Sequence, residues 1–132
     1  MIYSDAFSYK PQLKTLADFP DFTEEVKLEN VLVAFIQMEE KDLAINAKIE
    51  TKLLKNLKWG AKKNNSKHVI LHSFAHLSSS KADPNSTKQV FDRVETRLKN
   101  ADYDCNQTPF GYFLDINVQA PGRSAARIFL DF

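Results

Sequence analysis

Three histidines recur at a spacing of four, His68, His72 and His76. On a helix that spacing would stack three imidazoles on one face, the arrangement of a metal site. The stretch His68-Val-Ile-Leu-His-Ser-Phe74 is instead rich in β-branched and aromatic residues and predicts a buried strand. Along a strand, at about 3.3 Å per residue, His68 and His72 stand roughly 13 Å apart, too far to share one ion. No metal and no cofactor is expected. His76 falls past the strand's end, where β/α folds carry their sites, and is the candidate acid/base or orienting group; an ordinary hydrogen-bonded loop histidine is the alternative. Ser78, Ser79 and Ser80 offer hydroxyls to an anion at the start of the next helix, or else simply form a polar loop. Cys105 lies between Asp104 and Asn106, with no neighbouring positive charge to make a thiolate, and is expected to be structural. No P-loop, Gly-x-Gly-x-x-Gly, Gly-x-Ser-x-Gly or zinc-ligand spacing occurs.

The elements that must position these groups follow from hydrophobic pattern. Val31-Leu-Val-Ala-Phe-Ile-Gln-Met38 is a near-continuous apolar run and predicts a central strand, buried on both faces. From Asp42 to Trp59 the apolar residues Ile45, Ile49, Leu53 and Leu57 recur every four positions, with Lys48, Lys52, Lys55 and Lys62 on the opposite side. An amphipathic helix with a basic outer face is expected, whose lysines are either ordinary solvated charge or contacts to an RNA backbone. The strand His68–Phe74 then completes a strand–helix–strand unit with parallel pairing. Asp83 followed by Pro84 reads as N-cap and first residue of a second helix, running to about Asn100 and burying Val90, Phe91, Val94 and Leu98. Asp102 to Pro109 reads as turn-rich, Gly111 to Val118 as a strand, and Arg127 to Phe132 as a last strand joined to it through Pro121-Gly122. Met1 to Ser4 suggests a short strand, and Glu24 to Leu28 an edge strand within an otherwise unassigned polar stretch.

Composition sets the outer limits. At 132 residues, with 43% hydrophobic and 27% charged residues, the chain suits one α/β domain with its own core. Eighteen Lys and Arg against seventeen Asp and Glu give a net charge of +1, so any nucleic acid must be bound by a local patch rather than by bulk charge. One cysteine, no signal-like N-terminus and no long apolar run lead to the expectation of a cytoplasmic protein that does not enter a membrane.

Phe74-Ala-His-Leu-Ser-Ser79 and Pro109-Phe-Gly-Tyr112, together with Ile2-Tyr-Ser-Asp5 and Val31 to Ile36, resemble the editing domain at the N-terminus of archaeal-type threonyl-tRNA synthetases, in the same order across most of the chain. The resemblance implies the D-aminoacyl-tRNA deacylase-like fold: a β-sheet with two main helices, homodimeric. It also implies hydrolysis of a wrongly attached amino acid, serine above all, from tRNA(Thr). Acting in trans is expected, since no synthetase domain follows. The implied partners are the aminoacylated 3′ end of tRNA, a second copy of the chain and a separately encoded threonyl-tRNA synthetase. His76 takes the family histidine's place. Ser73, Phe74, Ala75 and Leu77 would contribute the cradle for the adenosine, Met38 the pocket lining, and Tyr112 and Phe113 the aromatic pair.

The chain departs from the family at two charged positions: Leu114 stands where a lysine is usual and Arg127 where a glutamate aligns. Loss of one charged donor from such a site can cost roughly 10²–10³ in rate. Two functions therefore compete, an editing hydrolase with a weakened site and a catalytically degenerate module of the same fold that binds tRNA or a synthetase. Arg123 and Arg127 are further candidates for phosphate contact.

Overall fold

The computed structural model describes residues 1–132. Its elements run in the order β1 (Ile2–Lys14), β2 (Val26–Ile36), α1 (Asn46–Lys63), β3 (His68–Ser73), α2 (Pro84–Asn100), β4 (Asp104–Gln107) and β5 (Tyr112–Gln119). Short 3₁₀ helices at Glu40–Ile45 and Ser124–Ala126 complete it. The strands form one mixed sheet in the order β4-β3-β2-β1-β5. β2, β3 and β4 are parallel neighbours, whereas β1 is antiparallel to both β2 and β5. The expected central strand is central, and the strand–helix–strand unit is parallel as the pattern required.

Both helices pack on one face of the sheet. Their apolar stripes, Leu54, Leu57 and Ala61 of α1 and Val90, Phe91, Val94 and Leu98 of α2, join Tyr3, Leu32, Ala34, Val69, Leu71 and Cys105 in one core. A second cluster, Phe7, Tyr9, Val31, Val33 and Ile70, contains no helical residue. Phe35 of β2 and Leu114 of β5, on the same face of the sheet, pack against it. Cys105 is buried in the first core, and desolvation pushes its thiol up to about 12, so it stays protonated and inert.

α2 begins as its sequence requires: the Asp83 carboxylate accepts the Ser86 N–H at 2.8 Å and Pro84 follows at the first helical position. Five other expectations are corrected. The first strand does not stop at Ser4 but continues to Lys14. Pro11 is tolerated because β2 pairs with β1 only as far as Tyr9, and beyond it β1 shifts register against β5 between Pro11 and Leu13. Correspondingly β2 is one strand from Val26, not an edge strand plus a separate central one. The connection after α2 holds β4, whose backbone extends the parallel sheet although its side chains are mostly polar. The segment 127–132 is not a strand: it makes one isolated bridge, Ile2 to Arg127, after a 3₁₀ turn. Ile45 belongs to the 3₁₀ helix before α1 and is exposed, so the helical stripe starts at Ile49.

Candidate functional site

Two loops leave the C-terminal ends of the parallel strands β2 and β3, the end of a parallel sheet at which ligand sites form. They are stitched together by one side chain. Oε1 of Gln37 accepts the backbone N–H groups of Leu77 (2.6 Å) and Ser78 (2.8 Å), and its Nε2 donates to the carbonyls of Ser78 (2.9 Å) and Ser80 (2.8 Å). The Phe74 N–H donates to Ile36 O and the Ala82 N–H to Met38 O. The Ser78 hydroxyl donates to Glu39, the Glu40 N–H donates to the Ser80 hydroxyl, and Lys41 pairs with Glu39. The Ser78 hydroxyl, then Lys41, holds the Glu39 carboxyl below its usual range. The serine run is thus no loose loop: two of its three hydroxyls, those of Ser78 and Ser80, clamp the segment that carries His76.

With these bonds made, the N–H groups of Ala75 and His76 have no partner within the protein. Both residues are exposed, and they form the crest of the loop. The imidazole of His76 lies against Phe74 (ring centroids 4.9 Å, 68°) and nearly parallel to Phe113 of β5 (6.5 Å, 23°). β3 and β5 are three places apart in the sheet, and the loop after β3 brings His76 to Phe113. Beneath the loop, His72 is buried beside Phe35 and Phe74 and bonded through Nδ1 to the Thr108 hydroxyl at 2.8 Å. Burial lowers its pKa to about 4, so it is neutral at pH 7. His68 is engaged separately, with Asn106 at 2.7 Å.

A mainly apolar cavity of about 690 Å³ opens beside the same loop. Of the residues singled out in the sequence, Met38, Phe74, Leu77 and Arg127 line it. Ser73 ends β3, paired with Ile36. Ala75 and His76 are exposed between Phe74 and Leu77 and do not themselves line the cavity, and Phe113 stands beside the His76 ring. Tyr112 is turned to the segment after β1, where its hydroxyl accepts the Phe22 N–H. Leu114 packs on the second apolar cluster. The Arg127 guanidinium donates to the carbonyls of Pro121 (2.5 Å) and Arg123 (3.4 Å). Arg123 bonds Asn64 and covers the Tyr3 ring. Both arginines are exposed, and each uses one guanidinium nitrogen to hold the C-terminal segment. Sequence reasoning misses Gln37 and Glu39, and gives His72 no part beneath the loop. The signal it could have used is a polar Gln37 closing an apolar run at the C-terminal end of a central strand.

A mixed sheet with both helices on one face and a pinned histidine loop at the ends of its parallel strands defines an α/β domain. The whole of it, residues 1–132, matches the family described as the archaea-specific editing domain of threonyl-tRNA synthetase, and the chain belongs to that family. It is 29% identical over 131 residues to a threonine–tRNA ligase of Pyrococcus furiosus, covering 97% of this chain and 21% of that protein. The corresponding protein of Thermococcus onnurineus is 30% identical over the same shares, and that of Hyperthermus butylicus 22%. The chain therefore spans about a fifth of the length of the curated relatives it matches. No helix is long and apolar enough to cross a membrane.

Proposed function

We propose that this domain hydrolyses the ester linking a wrongly attached amino acid, serine foremost, to the 3′ end of tRNA(Thr), working on charged tRNA that reaches it from a threonyl-tRNA synthetase. Membership of the editing family supports the reading. The observation that carries it is the pair of unpartnered N–H groups at Ala75 and His76, presented on a loop that Gln37 holds rigid. Consecutive amides preorganised in this way stabilise an oxyanion without reorganising during reaction. In the proposed reaction, water oriented by His76 adds to the ester carbonyl, and the negative oxygen of the tetrahedral intermediate is held by the two N–H groups. The proton released by the attacking water passes to the ribose oxygen as its bond to the acyl carbon breaks, and the free amino acid leaves. Phe74 and Leu77, with Met38 behind them, offer an apolar wall to the terminal adenosine.

One observation favours a second reading, a module that binds without catalysing: Leu114 is packed in an apolar cluster and Arg127 is tied to backbone carbonyls, so neither delivers charge to the His76 loop. Release of serine from Ser-tRNA(Thr), measured against Thr-tRNA(Thr) and a D-aminoacyl-tRNA, decides between them. The hydrolase reading requires serine release that falls on His76→Ala. Tight tRNA binding with no release from any substrate selects the module. We also propose that two copies associate, through the helix-free face and the edge of β5.

A further inference from the structure

The helix α1 carries Lys48, Lys52, Lys55, Lys58, Lys62 and Lys63 but one carboxylate, Glu50. None of these lysines has an acidic partner, whereas Glu50 is turned inward to Arg93 (3.0 Å) and Arg97 (3.6 Å) of α2. In a chain of net charge +1, this unneutralised positive charge is concentrated on one element. Its direction on the helix is the informative part. At roughly 100° per residue, taking Leu53 as the side facing the cavity, Ile49, Asn56 and Leu57 lie within about 60° of it, and all four line the cavity. Glu50 lies on the flank toward α2. Lys48, Lys52, Trp59 and Lys63 fall roughly 80–140° round the other flank, adjoining Asn56, with Lys55 just beyond.

The stripe is therefore continuous with the cavity's rim rather than on the far side of the molecule. Trp59 is 47% exposed within it, with Lys63 Nζ 6.0 Å from the ring centroid. An exposed indole set among unpaired lysines offers a π-face as well as charge, the combination that nucleic acids meet through stacking and phosphate contact. From Lys48 to Lys63 the stripe is about 22 Å long.

We propose that this face of α1 binds the phosphodiester backbone of the RNA whose 3′ end enters the cavity, with Lys48, Lys52, Lys55 and Lys63 on phosphates and Trp59 against a base or ribose. The proposal rests on the editing reading for the position of the 3′ end, and names the surface that holds the rest of the acceptor arm.

The test is fluorescence anisotropy with an uncharged RNA hairpin ending in single-stranded CCA, titrated by the 132-residue protein at several salt concentrations. Wild type should bind with a steep negative slope of log K on log salt. Lys48→Glu with Lys52→Glu and Lys55→Glu should weaken binding at least about tenfold and flatten the slope by about 3, one for each phosphate no longer neutralised. The corresponding triple glutamine variant should show the same slope change, which keeps the test valid should charge reversal disturb folding. Trp59→Ala should weaken binding severalfold with the slope unchanged. An unaltered affinity and slope in both triple variants, or an equal loss in Lys10→Glu on the sheet, overturns the proposal. So does a stripe that captures an acidic protein while leaving RNA binding intact. Steep salt-dependent binding without serine release would sink the editing reading and leave this surface standing. Serine release with unchanged KM in the triple variants would do the reverse.

Discussion

His72 has the environment that makes stability depend on acid. Its folded pKa, about 4, lies below the ordinary value of 6.5, so the unfolded chain binds a proton that the folded chain refuses. Above pH 6.5 both states are neutral and the group contributes no slope. As pH falls from 6.5 to 4 stability is lost progressively, by about 3 kcal/mol in all. The groups facing it are Phe35, Phe74 and Thr108, none of them a charge that would offset protonation. Urea unfolding between about pH 7 and pH 4 should show this loss, and His72→Phe, which cannot titrate, should remove most of it. Gln37 makes a different prediction at the same scale. Its amide satisfies two donors and two acceptors of the His76 loop, so Gln37→Ala should speed hydrogen exchange at Leu77 and Ser78 by about tenfold or more, while β3 amides keep their protection. Unchanged exchange at those two amides would mean that the loop is held by other contacts. A polar Gln37 closing an apolar run marks the residue in the sequence but not its four bonds to a segment some forty residues away; the strand topology brings the two loops together.

Among the elements, α2 is the most legible in the sequence, because its signals are local: an Asp-Pro start, an apolar stripe every three to four residues, and the Glu95 to Lys99 pair, which the structure closes at 2.8 Å. β4 is the least legible. Asp104-Cys-Asn-Gln107 has one apolar residue, and its strand state comes from backbone pairing with β3 and from the burial of Cys105, both tertiary effects. β1 reads short because Pro11 and its polar neighbours suggest a break, a penalty that vanishes where β2 has already ended. The junction between the helices is open to test. Glu50 is buried, accepts from Arg93 and forms an ion pair with Arg97, so Glu50→Ala leaves the arginine pair without its carboxylate and should cost about 1–2 kcal/mol by denaturant unfolding. The turn into β5 is equally constrained. Gly111 has φ of 82°, and a Cβ there would lie 2.8 Å from Leu16 Cβ, so Gly111→Ala should cost more than about 1 kcal/mol.

At the scale of the whole molecule, the two edges of the sheet are built differently. β4 is four residues long and carries Asp104, Asn106 and Gln107, short and polar enough to discourage pairing. β5 is eight residues long, pairs with β1 on one side only, and exposes Phe113, Ile116 and Val118. Leu114, Ile116 and Val118 alternate along it, so they share the face without helices and extend its apolar cluster out to the edge. An edge of that length and composition is a pairing template, and the proposed second copy of the same chain would close it symmetrically. The segment ending at Phe132, which the sequence pattern alone would offer as the pairing strand, cannot serve, since it is not in the sheet. Sedimentation equilibrium at tens of micromolar should therefore return about twice the 15.1 kDa chain mass. Ile116→Lys combined with Val118→Lys should return the single-chain mass with the circular dichroism spectrum unchanged, because both side chains lie outside the buried core. A wild type that sediments at the single-chain mass would refute the pairing, and would leave the His76 loop, with Phe113 at its shoulder, to form its site from one chain alone.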